Sequence, residues 1–184
     1  MNTGIISSRY AKALLDYVDI RGSADAVLLQ VVAMEKALAA VEELRQVIDD
    51  TITVSPSTKL KLLDSVLSGE MEPDLKKFLK LVLVKGRGSC LKFMLRDFVE
   101  MYYRERKIIF AKLVTTAESP ELEEVLKKKV KEATGFDLRI ETVINPDLIG
   151  GFVFTIKDIR IDASVVRQIE TLKEQFIKKN RRIV

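Results

Sequence analysis

The chain has 184 residues, 47% hydrophobic and 32% charged, with a formal net charge of +4, which suffices for one large domain or two small ones of ordinary globular composition. It contains no histidine and one cysteine, Cys90; that removes the commonest metal ligand and near-neutral general base, and with them zinc sites, Ser-His or Cys-His nucleophile pairs and an internal disulfide. The charge is mildly basic rather than the strong field of a dedicated nucleic-acid binder, no run of 18 apolar residues offers a membrane span, and the opening MNTGIISSRYAKALLDYV lacks the pattern of a secretory signal.

The first 107 residues read as six helices punctuated by glycine, proline and serine. The first covers about 5–19 and stops before Gly22, and the second, about 23–39, is apolar on most sides. A short third helix carries Val41, Leu44, Val47 and Ile48 on one face. The fourth restarts at SPSTKLKLLDSVL, where Ser55 can cap and Pro56 takes the first helical position, whose missing N–H is harmless. The fifth restarts in the same way at Pro73 in EPDLKKFLKLVLV and ends before Gly86. The sixth, near 89–107, is cleanly amphipathic, with Leu91, Met94, Leu95, Phe98, Met101 and Tyr102 on one side. Cys90 falls within this pattern and reads as a buried thiol.

After Lys107 the character changes. IIFAKLVTTA is β-branched and reads as a strand. SPELEEVLKKKVKEATG is a compact helix: Ser119 caps, Pro120 opens, glutamates precede lysines in the order the helix dipole favours, and Gly135 stops it. DLRIETVI, GGFVFTIK and IRID read as three more strands, the last two joined by a tight turn at Lys157-Asp158. A final helix near 163–179 shows Val165, Val166, Ile169, Leu172, Phe176 and Ile177 at helical spacing. The fold class expected is therefore an all-α six-helix bundle over 1–105, followed by a small α/β domain over 106–184 of order strand–helix–three strands–helix. No Pro/Gly/Ser-rich linker separates them, so the sixth helix is free to run on into the second part.

The segment NPDLIGGFVFTIKDIRIDAS carries the strongest pattern. Paired glycines can cradle phosphate when a helix N-terminus follows at once. Here Gly150-Gly151 is followed by a strand, and neither GxGxxG nor GxxxxGK[ST] occurs in the chain. The pair therefore reads as a place where backbone bends or approaches a neighbour. Asn145-Pro146-Asp147 reads as a turn, and Asp162 or Ser164 as the cap of the last helix. Asp158 and Asp162 read as turn and cap residues rather than an acid–base pair.

These residues resemble the C-terminal signature of the delta subunit of F-type ATP synthases, the family of the mitochondrial oligomycin-sensitivity-conferring protein. Leu148, Ile149, Gly150, Gly151, Asp162, Ser164 and Val165 fit it, and SRYAKALLDYV is similar to the family's opening Arg-Tyr-Ala-x-Ala-Leu. One departure is Ala163, where a glycine is common in the family. The resemblance implies a non-catalytic stator subunit, one copy per complex, without cofactor or metal. Its N-terminal domain would hold alpha-subunit N-termini, and its C-terminal domain the C-termini of b subunits in the peripheral stalk. It implies a place on the cytoplasmic face of the bacterial inner membrane without membrane insertion.

The residues speak to this independently. The first helix has an apolar arc of roughly 200°, against the stripe of somewhat over 100° that one-sided packing needs; the arc includes Ile6, Tyr10, Ala13, Leu14 and Tyr17. The fifth is equally broad, with Leu75, Phe78, Leu79 and Val82 flanked by Leu81 and Val84. Two such helices either line a groove for a partner helix or are central helices covered by their own domain; the resemblance implies the groove, formed by Ile6, Tyr10, Ala13, Leu14, Tyr17, Leu75, Phe78, Leu79 and Val82, for an alpha-subunit helix. The basic end KKNRR and the net charge suggest an alternative, an RNA-binding or ribosome-associated protein, but the end has no interleaved aromatics or RNA-binding motif.

Overall fold

Prolines at helix starts and apolar residues three and four apart set out the first part of the chain, and the computed structural model shows how far each pattern extends. It describes residues 3–50, 53–67 and 69–180. The chain divides into two compact units, Met1–Glu105 and Arg106–Val184.

The first unit contains α1 (Thr3–Arg21), α2 (Ala24–Ala40), α3 (Glu42–Asp49), α4 (Pro56–Ser65), α5 (Pro73–Val84) and α6 (Leu91–Glu105), with a 3-10 turn at Gly88–Cys90. Ser55 caps α4 by accepting from the Thr58 N–H at 3.2 Å, and Pro56 and Pro73 take the opening positions of α4 and α5. The amphipathic face of α6 buries Leu91, Met94, Leu95, Phe98 and Tyr102 and packs against both α1 and α2. Leu15 and Val18 of α1, Met34 of α2, and Leu75 and Leu79 of α5 join it in one continuous core. Burial of a large aliphatic or aromatic side chain stabilises by about 1.5–3 kcal/mol, so this core dominates the unit's stability. The Ser7 hydroxyl, itself buried, donates to Asp97 at 2.6 Å and ties α1 to α6. Cys90 is half-buried in the 3-10 turn rather than fully buried in a helix.

The sixth helix does not run on: α6 stops at Glu105, and Lys107 takes a positive φ of 53°. The second unit then forms β1 (Ile108–Thr115), α7 (Pro120–Thr134), β2 (Asp137–Ile144), β3 (Phe152–Ile156), β4 (Ile159–Asp162) and α8 (Val165–Asn180). The sheet order is β2-β1-β3-β4. β1 and β2 are parallel, which demands a crossover connection, and α7 supplies it. β1–β3 and β3–β4 are antiparallel, and β3 and β4 are joined by the two-residue turn at Lys157-Asp158, where Lys157 has φ 49°. Ala111, Leu113, Leu138 and Phe154 form the core, with Leu122, Leu126 and Val130 of α7 packed against it. Ser119 stands before α7 but its side chain makes no capping hydrogen bond; its carbonyl accepts from the Glu123 N–H instead. Gly135 ends α7 in the left-handed conformation, φ 73°.

The signature segment folds as one structural device. Asn145 accepts the Asp147 N–H on its side-chain oxygen at 3.0 Å, which makes the expected turn. The Val165 N–H donates to the Gly150 carbonyl at 3.0 Å, and the Ala163 N–H to the Phe152 carbonyl at 2.9 Å. The paired glycines thus lie directly against the start of α8. Gly151 has φ 82°, while Ala163 is not among the positive-φ residues, so the left-handed backbone of this segment belongs to Gly151. Asp162 accepts the Ser164 N–H at 3.1 Å, and Ser164 accepts the Arg167 N–H at 3.3 Å. Both residues named as possible caps therefore take part. Hydrogen bonds from the Ser164 hydroxyl and backbone hold the Asp162 carboxyl below its ordinary pKa. Leu148 is half-buried and Ile149 is 78% exposed. The side chains of Phe176, of Ile177 and of the basic end at 178–182 lie outside the described residues.

Candidate functional site

α1 and α5 leave a groove of about 430 Å³ between them. The α1 wall is Arg9, Tyr10, Ala13, Leu14 and Tyr17, a helical face repeating at three and four residues. The α5 wall is Asp74, Lys77, Phe78 and Leu81, on the same repeat. Five residues expected to line a groove do so: Tyr10, Ala13, Leu14, Tyr17 and Phe78. Leu75, Leu79 and Val82 do not, because each is fully buried in the core. Ile6 is half-buried and packs against the same core. The broad apolar arc of α5 thus splits in two: one side serves the interior, and Phe78 and Leu81 turn toward the groove. Leu81 is 50% exposed and Tyr17 38% exposed, apolar surface that nothing in the described chain covers.

The groove walls are held by polar contacts that the hydrophobic pattern does not reveal. Asp74 is nearly buried, with 5% exposure. Its carboxylate accepts from Tyr17 at 3.2 Å, from the Arg21 Nε at 2.9 Å and from the Ser23 hydroxyl at 2.9 Å, with the Lys77 ammonium 3.6 Å away. Burial alone pushes this carboxyl up, but the three hydrogen bonds and the Arg21 charge together outweigh it, so its pKa lies below the ordinary value. One carboxylate therefore pins the C-terminal end of α1, the turn after it and the start of α5. From sequence, Asp74 is only an acid in a first helical turn. Its partners lie more than fifty residues away, and only the i, i+4 spacing of Tyr17 and Arg21 hints at them.

Arginines fix the groove's tyrosines. Arg21 lies 5.7 Å from the centre of the Tyr17 ring and Arg87 5.1 Å from that of Tyr10. Arg87 also donates to the Tyr10 hydroxyl, and the Tyr10 ring meets Phe78 edge-on at 6.4 Å. The result is an apolar trough with a cationic rim of Arg9, Arg21, Lys77 and Arg87. Its single acid is already neutralised. Such a surface suits an amphipathic helix with an apolar face and acidic flanks. Among the described residues no group of three or more His, Cys, Asp or Glu side chains stands together as a metal-binding cluster, and no helix is long and apolar enough to cross a membrane.

Comparison with known proteins gives one consistent answer. The family described as ATP synthase delta (OSCP) subunit matches residues 6–176. ATP synthase subunit delta of Phocaeicola vulgatus is 39% identical over 188 residues, covering 100% of both chains. The subunit of that name from Bacteroides fragilis is 35% identical with the same full coverage, and that of Carboxydothermus hydrogenoformans is 28% identical over 96% of this chain and 99% of its own. Among solved structures, a chain of the Toxoplasma gondii mitochondrial ATP synthase hexamer superposes over 93% of this chain and 97% of its own, with a TM-score of 0.51 and 20% identity, which speaks to the fold. These matches lend nothing to the nucleic-acid alternative.

Proposed function

The chain belongs to the ATP synthase delta (OSCP) subunit family, and on that premise we propose that its α1/α5 groove holds an N-terminal helix of an ATP synthase alpha subunit. Members of this family are non-catalytic stator subunits of F-type ATP synthase, a membrane-associated rotary complex. The chain binds other subunits of that complex and links its catalytic head to the peripheral stalk. Rotor torque is thereby coupled to ATP synthesis or hydrolysis and to proton transport. The task is mechanical: attachment must outlast the torque.

In this reading residues 1–105 act as a six-helix bundle on the head, and residues 106–184 capture the C-termini of b subunits on the cytoplasmic side of the membrane. The observation that carries the groove assignment is the uncovered apolar strip of Ala13, Tyr17 and Leu81 between two helices, rimmed by cations. For the second unit the support is its exposed aliphatics, Ile149, Ile159, Ile161, Ile169 and Leu172, which a partner helix could cover.

The test uses the full chain and a synthetic peptide of the alpha-subunit N-terminus. Ala13 is exposed, so Ala13→Asp leaves the core intact and places an unpaired charge in a contact that must lose water. Calorimetric titration should show binding by the wild type and none by Ala13→Asp, with unchanged circular dichroism. Equal affinity for a folded Ala13→Asp variant refutes the groove assignment.

A further inference from the structure

The helix α5 has a second concave side. Between α4 and α5 lies a depression of about 830 Å³, larger than the α1/α5 groove. Leu60 and Val84 supply apolar surface, with Val84 62% exposed. Lys61, Lys76, Lys77 and Lys80 stand around it. Asp64 is the one carboxylate in the lining. Lys77 lies 3.6 Å from Asp74; among the described residues, Lys61, Lys76 and Lys80 have no acidic side chain within ion-pair distance.

This clustering is unfavourable for the chain by itself. Lys76 and Lys80 stand four residues apart on one helix face, where like charges repel. Elsewhere on the surface, Lys127 pairs with Glu123 and Lys131 with Asp137. The uncompensated ammonium groups flank apolar side chains and make a surface complementary to negative charge alternating with aliphatic residues.

We propose that the α4/α5 groove docks an acidic amphipathic helix of a protein partner. Its aliphatic side chains would pack on Leu60 and Val84, and its flanking carboxylates would meet Lys61, Lys76 and Lys80. A cleft between two helices accepts a third helix, about 10 Å across, better than it accepts an extended strand, because it offers no free backbone edge to pair with. Its lining contains no aromatic ring, so it lacks the stacking platforms on which single-stranded nucleic acid is held. Docking here does not depend on what fills the α1/α5 groove.

The experiment titrates the full-length chain with a synthetic 20-residue probe, about 30 Å long as a helix and so longer than the 12-residue α5. The probe carries leucines at helical spacing flanked by glutamates, and is compared with a scrambled peptide of the same composition and a lysine-for-glutamate counterpart. The wild type should bind the probe alone, more weakly at high salt, with amide shifts centred on Leu60 and Val84. Lys76→Glu/Lys80→Glu and, separately, the surface change Val84→Asp should each weaken binding at least about tenfold. Ala13→Asp, in the other groove, should leave the amide shifts at Leu60 and Val84 unchanged. No binding, equal binding of the scrambled or lysine peptide, or loss through Ala13→Asp but not through the α4/α5 variants overturns the proposal. So does a single-stranded oligonucleotide that displaces the probe from the same residues.

Discussion

Gly151 packs so closely against the carbonyl oxygen of Ala163 that a β-carbon at 151 would overlap it, and would also come within 2.9 Å of the Ser164 α-carbon. Gly151 also needs φ 82°. Two independent constraints thus select glycine at one position, and both arise because the strand entering β3 leans on the capped start of α8. Gly150 is less constrained: a β-carbon there would meet only the Val165 side chain, at 3.1 Å.

The two glycines should therefore respond differently to the same substitution. Gly151→Ala should destabilise the second unit by about 2 kcal/mol or more, combining left-handed strain with the backbone overlap. Gly150→Ala should cost about 1 kcal/mol or less, because a valine side chain can yield. Urea unfolding followed by a probe in the second unit gives both values. An equal or reversed order would show that the packing of Gly151 on Ala163 is not what holds the α8 start.

The two faces of α5 should separate stability from binding. Leu79 is fully buried, whereas Leu81 is half-exposed on the groove. Leu79→Ala should cost about 2–5 kcal/mol of folding stability. Leu81→Glu should leave stability within about 0.5 kcal/mol, as surface changes do, while sharply weakening the alpha-subunit peptide. Melting curves and peptide titrations of the same two proteins decide the matter. Loss of binding in neither would remove α5 from the site.

How far the sequence spoke depends on the kind of signal. Punctuation was legible: Pro56, Pro73 and Gly135 sit at helix ends because their backbone demands are local, and Asp162 and Ser164 meet theirs within three residues. The split of α5 was not legible. Leu75, Leu79, Val82, Phe78 and Leu81 are chemically alike, and only the direction from which α1 and α4 approach decides which of them meets solvent. Asp74 was missed for a related reason, since its hydrogen bonds join helices whose sequence separation carries no pattern. The capping by Ser119 failed in the other direction: the residue type and position suit a cap, but at φ −138° and ψ 85° its side chain does not bond.

A buried lysine makes a further prediction. Lys59 is 5% exposed, and its ammonium donates to the Ile48 carbonyl at 2.9 Å and to the Asp50 carbonyl. It thereby satisfies carbonyl groups at the C-terminal end of α3, where positive charge is favoured by the helix dipole. Lys59→Met keeps much of the aliphatic stem but strips both acceptors of their donor. It should cost about 1–3 kcal/mol for the carbonyls left unpaired. A denaturant midpoint indistinguishable from wild type would mean that water replaces the ammonium without loss.

Asp74 makes the pH dependence of the first unit predictable in sign. Its folded pKa lies below its ordinary value of 3.8, so the folded state binds the proton less readily than the unfolded chain does. The carboxylate therefore contributes stability that is fully present above the unfolded value and is lost as pH falls through the lower folded one. Asp74→Asn removes the charge but keeps the shape. At pH 7 the variant should unfold at lower urea than wild type, and the gap should narrow steadily as the pH is taken below about 4. Because Tyr17 and Arg21 also bond to this carboxylate, the variant should in addition loosen the groove and weaken the alpha-subunit peptide at neutral pH, whereas Asp97→Asn, at the α1–α6 contact and not in the groove lining, should not. A urea gap that stays constant from pH 7 to below 4 would show that the charge on Asp74 contributes nothing, and that the difference lies wholly in hydrogen bonds that an amide does not reproduce.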